Sequence, residues 1–257
     1  MAIARGSFEN STTVLVSATP SLESLFNAKE KKYCHLNLPN RIGSAGMPYI
    51  KTIDMRKEKM EKDSWISPSL KSAMLQTLES GEQVLLFINR RGYAPLTVCK
   101  SCGDKIGCSK CDSYLVHHKT KNKLLCHQCG YTEVFLDKCK SCKTENSFLQ
   151  YGPGIERLLE ETNKIFPDKS VSSISSDNSK DFLKTMESLS NGEIDIIIGT
   201  QIISKGYHLP NLTLVGVIDA DIGLASSDLR ASEHTFQLLQ QVSGRSGRDE
   251  KAGKAFI

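Results

Sequence analysis

"IDIIIGTQIISKGYHLPNLTLVGVID", Ile194 to Asp219, holds two short apolar runs separated by a polar loop. "IDIIIG" (194–199) and "LTLVGVID" (212–219) are rich in Ile, Val and Leu and barely alternate with polar residues. A strand covered on both faces reads this way, whereas a strand with one wet face alternates. "QVLLFI" (83–88) and "TTVLVS" (12–17) have the same character. Helical segments fall between these runs. "SPSLKSAMLQTLESG" (67–81) has Ser67 as N-cap, Pro68 at the first helical position and Gly81 just past the end. Its apolar residues Leu70, Ala73, Met74 and Leu78 recur at helical spacing. "GIERLLEETNKIFP" (154–167), "SKDFLKTMESLSNG" (179–192) and "ASEHTFQLLQQV" (231–242) read the same way. Strands alternating with helices predict an α/β domain: a parallel sheet with helices on both faces.

Two stretches interrupt that pattern. Residues 40–65, including "NRIGSAGMPY" and "MRKEKMEKDSW", are turn-rich and then charge-rich, and read as a solvated connector. Residues 99–143 carry eight Cys and nine Lys, with "YLVHH" and "KLLCH" flanking the turn "KTKN". That is a β-hairpin inside a small insertion.

The whole chain has 257 residues, enough for one large domain or two modest ones, each with its own core. Its net charge of +4 permits nucleic-acid binding without arguing for it. No run approaches the ~20 apolar residues of a membrane span, and the start "MAIARGSFENSTTVLVSATP" has no signal core. A cytoplasmic protein with no membrane partner is expected. In that setting nine cysteines read as metal ligands sooner than as disulfides. Cys34 stands alone and reads as a small buried residue.

The other eight form four Cys-x-x-Cys pairs: Cys99/Cys102, Cys108/Cys111, Cys126/Cys129 and Cys139/Cys142. Two such turns complete a tetrahedral zinc site with no open position, so four pairs make two structural Zn²⁺ sites. The insertion is too short and polar to fold on apolar burial, and metal binding would supply its folding free energy. His127, inside "CHQC", is not needed once four pairs are complete. Adjacent, crossed and nested pairings are all countable. Nesting is the easiest sterically, with the inner pairs bracketing the hairpin and the outer pairs closing over its base. Nine lysines against Asp104, Asp112, Glu133 and Asp137 give +5, and two zinc–tetrathiolate sites of −2 each leave about +1. The insertion is not a basic claw.

Polar loops follow the apolar runs. "VLVSATPSLES" (14–24) and "NRRGYAP" (89–95) each follow a strand candidate, and "GTQIISKG" (199–206) follows another. Ligands of open α/β sheets meet such loops at the carboxyl ends of strands. "QQVSGRSGR" (240–248) ends a helix with two arginines three residues apart. Ser-Ala-Thr, then Gly-Thr-Gln-x-x-x-Lys-Gly, then Gln-x-x-Gly-Arg-x-Gly-Arg resemble motifs III, V and VI of superfamily 2 helicases. With four Cys pairs inserted after "LLFINRRGYAP", and with "DADIGLASSDLRASEHTFQLL" (219–239), the chain resembles the replication-restart, or primosomal, DNA helicases along essentially its whole length.

That resemblance implies a RecA-like helicase lobe carrying a small two-zinc insertion, with four cysteines on each metal. Residues 1–30 would be the C-terminal part of the first ATPase lobe, 31–98 and 144–257 the two parts of the second lobe, and 99–143 the zinc insert. Ser17 and Thr19 would couple nucleotide state to DNA movement. Thr200, Gln201 and Lys205 would lie near the DNA backbone and the interlobe cleft. Gln241, Arg245 and Arg248 would face nucleotide, the two arginines as candidate fingers. A guanidinium is always charged and stabilises charge developing on a γ-phosphate. The family pairs its cysteines in nested fashion: Cys99, Cys102, Cys139 and Cys142 on one zinc, Cys108, Cys111, Cys126 and Cys129 on the other. Implied ligands and partners are ATP with Mg²⁺, forked and single-stranded DNA, other primosome proteins and single-strand-binding protein. His234 stands where the family usually has Arg, and Leu209 where it usually has Phe.

No Gly-x-x-x-x-Gly-Lys-Ser/Thr phosphate loop occurs in the 257 residues, and no Asp-Glu-x-His precedes Ser17. "GTQIISKG" has Ser204 and Gly206 where that loop needs glycine and a hydroxyl. "GKAFI" ends the chain as if inside a strand. The sequence reads as a fragment that would not hydrolyse ATP alone. The rival readings are a stand-alone zinc-ribbon module that binds nucleic acid or protein, and a scaffold for other replication proteins.

Overall fold

Strand β2, Gln83–Ile88, is buried at every position. It pairs in parallel with β9 (Ile196–Gly199) on one side and β10 (Leu212–Ile218) on the other. The computed structural model describes residues 1–39, 46–61, 64–89, 96–99, 101–111, 114–118, 122–126, 129–151, 154–174, 182–200, 209–225, 228–247 and 251–257. Two units emerge, Met1–Pro39 and Asn40–Ile257.

In the larger unit a six-stranded sheet runs in the order β1-β11-β10-β2-β9-β8, with every pairing parallel. Its outer members are β1 (Tyr49–Lys51), β11 (Lys254–Phe256) and β8 (Val171–Ile174). Side chains alternate across β2 and so serve two cores. Val84, Leu86 and Ile88 pack with Leu70, Met74 and Leu78 of α3 (Pro68–Glu79) and with Ile155 and Leu158 of α4 (Ile155–Ile165). Leu85 and Phe87 face Met186 and Leu189 of α5 (Phe182–Ser190) and Val242 of α6 (Ala231–Ser243). The parallel α/β sheet with both faces covered is therefore present. Gly216 of β10 lets α3 approach closely, since a Cβ there would lie 2.9 Å from Leu70.

The caps of α3 are as expected. The Leu70 N–H donates to Ser67 Oγ at 3.1 Å, and Gly81 takes φ +70° just beyond the helix. Other expectations need correction. Residues 12–17 form no strand, and Val14 and Val16 are 75% and 88% exposed. An apolar run becomes a strand only against a partner edge. Among the described residues of the smaller unit only α1 (Ala2–Phe8) and α2 (Leu22–Lys29) are regular elements. Cys34 is exposed, not buried. The 40–65 connector contains β1, and its end is tied to helices. Glu161 of α4 accepts hydrogen bonds from the N–H groups of Trp65 and Ile66, both at 3.0 Å, and Glu58 accepts from the Ser69 N–H at 3.1 Å. Residues 40–45 and 62–63 of that connector lie outside the described set.

One buried amide closes the amino edge of the sheet. Gln83, 4% exposed, donates from Nε2 to the carbonyls of Leu189 (2.6 Å) and Ile194 (2.8 Å). Gln83→Ala removes both bonds; the Leu189 carbonyl still accepts from the Gly192 N–H at 3.2 Å, but the Ile194 carbonyl loses this donor, and the change should cost about 1–3 kcal/mol. Gln83→Glu sets a carboxylate against two carbonyl oxygens and should cost more. Urea unfolding midpoints check the order; a Glu variant as stable as the Ala variant would contradict it.

Candidate metal centres and the loops around them

The insert is entered through β3 (Leu96–Cys99) and left through β7 (Phe148–Tyr151), an antiparallel pair with Cys99 opposite Phe148. Three of its Cys-x-x-Cys turns share one backbone pattern. The Cys99 N–H donates to the Asp104 carbonyl, and the Cys99 carbonyl accepts from the Gly103 N–H, both at 2.8 Å. Cys126 repeats this with Tyr131 and Gly130, and Cys139 with Thr144 and Lys143. Each turn passes through the left-handed region one residue after its second cysteine: Gly103 and Gly130 at φ +75°, Lys143 at φ +63°. Glycine enters that region at no steric cost, which accounts for two of the three. Such a turn leaves both thiols of a pair on one side.

There the pairs meet. The sulfurs of Cys99, Cys102, Cys139 and Cys142 lie within 4.8 Å of one another, as do those of Cys108, Cys111, Cys126 and Cys129. Contacts across pairs measure 3.6 Å (Cys99–Cys142), 3.7 Å (Cys102–Cys139), 3.6 Å (Cys108–Cys129) and 3.5 Å (Cys111–Cys126). A disulfide needs about 2.05 Å. Four sulfurs about 2.3 Å from a central zinc stand about 3.8 Å apart. The donor sets fit tetrahedral zinc, and all nine cysteines are free thiols. The grouping is nested, with the outer set closing the base of the insert and the inner set its tip.

The thiols do not ionise alike. Ser147 Oγ, 3.2 Å from Cys99 Sγ, holds that thiol well below its ordinary value, at about 6. At Cys102 the Asp104 N–H pulls downward, but burial and the neighbouring thiols push it up to about 12. Sulfurs this close cannot all carry charge unless a cation joins them.

The inner set rests on a small apolar plug. Leu115, Leu124 and Cys126 are buried, with Ile106, Tyr131 and Phe135 packed against them. The strands beneath are β4 (Val116–His118), β5 (Lys123–Leu125) and β6 (Thr132–Val134), antiparallel in that order. The hairpin was legible in sequence; β6 and the plug were not. Leu124 two residues before Cys126, and the aromatic Tyr131 beyond the turn, were the available signal. His127 lies outside the described residues.

The helicase-like motifs divide between sheet edges. Thr200, 4% exposed, follows β9 at the carboxyl edge. Gln241 is exposed on α6, and Arg245 is half-buried just past the α6 C-cap, Gly244. Gly247 takes φ +64°, and its N–H donates to the carbonyl of Leu212, the first residue of β10. Gly247 and Gly253 cross backbone to backbone with no room for a Cβ on either. Lys251 Nζ reaches Asn211 Oδ1 (3.1 Å) and Glu82 Oε1 (3.6 Å) on the same edge. Arg245 therefore stands toward the amino edge of the sheet, and Thr200 at the opposite one. Gln201, Lys205 and Arg248 lie outside the described residues. Ser17 and Thr19 belong to the smaller unit, where the Thr19 N–H donates to Ser17 Oγ at 3.0 Å. Leu209, 4% exposed, is a core residue, and His234 Nδ1 lies 3.5 Å from Asp228 Oδ2.

Residues 121–250 match the helicase conserved C-terminal domain, and residues 108–133 match the PriA DNA helicase Cys-rich region domain. Replication restart protein PriA of Rickettsia felis is 48% identical over 259 residues, which cover 100% of this chain and 40% of that protein. Its counterpart in Bacillus subtilis is 38% identical over 261 residues, covering 100% of this chain and 32% of the relative. In Haemophilus influenzae the figures are 38% over 251 residues, 96% and 34%. The chain thus spans less than half the length of these curated relatives. The chain belongs to the helicase conserved C-terminal domain family, and its residues 108–133 also match the PriA DNA helicase Cys-rich region domain.

Proposed function

We propose that this chain contributes the second lobe, and the end of the first, to an ATP-dependent DNA helicase. That enzyme recognises and remodels stalled or abandoned replication forks and starts primosome assembly. The observation that carries this reading is the 48% identity to a replication restart protein along the full chain. The parallel sheet with both faces covered and the two four-sulfur clusters agree with it. Residues 1–30 close the first ATPase lobe, 31–98 and 144–257 build the second, and 99–143 form the insert. Forked and single-stranded DNA are the substrates, other primosome proteins and single-strand-binding protein the partners, and the cytoplasm the setting. No helix among the described residues is long and apolar enough to cross a membrane.

In this reading each sulfur set holds one Zn²⁺, whose chemistry is structural: four thiolates leave no open position. Thr200, Gln201 and Lys205 contact the DNA backbone. Ser17 and Thr19 couple nucleotide state to DNA movement. Gln241, Arg245 and Arg248 face nucleotide bound with Mg²⁺ on the other lobe. The Gly247–Gly253 crossing fixes the backbone two residues beyond Arg245. A stand-alone zinc-ribbon module without ATPase is the second reading, with the two four-sulfur clusters as its support.

Elemental analysis of protein purified without chelator should find two zinc atoms per chain. Cys102→Ser and Cys139→Ser should each leave one, and their double variant should leave the same one. If the double variant loses both metals, the nested assignment fails.

The arginines separate the two functional readings. This chain alone should not turn over ATP. In a protein carrying it together with a complete first lobe, Arg245→Ala and Arg248→Ala should lower DNA-stimulated hydrolysis by ~10³-fold, with nucleotide affinity little changed. Near-normal hydrolysis in both variants would defeat the helicase-motif assignment and leave the binding-module reading standing.

A further inference from the structure

The outer sulfur set has polar neighbours that its own cysteines do not account for. Ser147, the residue before β7, is 4% exposed, and its Oγ lies 3.2 Å from Cys99 Sγ, itself 1% exposed. Thr144 Oγ1 lies 3.2 Å from Cys142 Sγ. The two hydroxyls therefore address one sulfur from each outer pair. A third tie crosses the same centre, from Ser141 Oγ to Asp104 Oδ2.

We propose that the Ser147 and Thr144 hydroxyls are positioning groups of the outer metal centre, donating hydrogen bonds to the Cys99 and Cys142 thiolates and so retaining the zinc held there. The inference rests on the two-zinc reading above. Proton bookkeeping gives the direction. A free thiol can donate, but a metal-bound thiolate has no proton, so the contact at Cys142 then requires Thr144 to donate. Ser147 has one proton and two acceptors in reach, Cys99 Sγ and the Thr144 carbonyl, each at 3.2 Å. A charged sulfur is the stronger acceptor.

The placement suits retention. Cys99 is the last residue of β3 and Ser147 immediately precedes β7, so their contact spans the stem through which the insert joins the lobe. Donation to a thiolate spreads its charge and fixes its orientation, which opposes both protonation and attack by an electrophile. Outer-shell partners of this kind commonly change metal affinity by about 10–100-fold.

The test uses the whole chain with its zinc, challenged with excess of a fluorescent zinc chelator, and follows metal transfer in time. Elemental analysis first fixes the starting content. In Ser147→Ala and in Thr144→Val, one of the two zinc equivalents should leave at least ~10-fold faster than in the wild type, and the other at an unchanged rate. Ser147→Thr and Thr144→Ser, which keep the hydroxyl, should retain the wild-type rate. Thr144 is exposed, so its valine variant serves if Ser147→Ala does not fold. Unchanged release of both equivalents overturns the proposal. Equal acceleration of both overturns it too, because the residues would then be holding the fold and not one centre. Fewer than two zinc equivalents in the wild type sinks the two-zinc reading and this proposal with it. Two equivalents without any difference among variants sinks the proposal alone.

Discussion

A segment running from β3 to β7 has to leave a parallel sheet and return to it at one point, and that constraint organises everything else. β2 ends at Ile88, and the next helix of the lobe, α4, begins at Ile155. The lobe is indifferent to the chain between them only if its two ends are held together. The β3–β7 pairing does this with backbone hydrogen bonds, and the outer sulfur set does it again immediately beyond, with Cys99 and Cys142 3.6 Å apart. Closing a loop of this length costs entropy that grows only slowly with the number of residues. A clamp at the base is therefore an inexpensive way to carry a large excursion.

Inside the clamp the balance of forces changes. The lobe has two layers of Leu, Ile, Val, Phe and Met around β2 and is stable in the ordinary manner of α/β domains. Among the described residues of the insert, its own cluster buries Leu115, Leu124 and Cys126. Apolar burial on that scale cannot offset the conformational entropy of ordering the segment. Its repeated Cys-x-x-Cys turns instead converge on points where sulfurs crowd. That crowding is unfavourable without a cation and favourable with one, so metal and fold are coupled.

Much of this was legible from residue order, and the exceptions have physical causes. β2 matches its apolar run from end to end, and β9 and β10 differ from theirs by one or two residues, because burial on both faces erases alternation in sequence as it does in space. The terminal strand β11 lies in "GKAFI", which reads as part of a strand, whereas the short strand β1 was missed, since three residues beside a turn-rich stretch carry no periodicity. Residues 12–17 have strand composition and no strand partner among the described residues, so composition alone is not sufficient. The four Cys-x-x-Cys pairs were readable from spacing, and their nested grouping from steric preference and the family resemblance, whereas Ser147 was not, because a serine acquires meaning only when the chain brings it to a sulfur. Likewise "SGRSGR" was read for its two arginines and for the helix that it ends. Its second glycine also allows two backbones to cross, a contact that a stop signal alone does not foretell.

The central claim is that the insert is folded by metal behind a clamp, while the lobe stands on its own apolar core. Amide hydrogen exchange with and without bound zinc tests it most directly. On removal of zinc, amides of β4, β5 and β6 and of the Cys-x-x-Cys turns should lose protection, while those of β2, β9 and β10 keep theirs. Protection of the insert that survives complete removal of the metal, or its loss across the central sheet as well, would contradict the account.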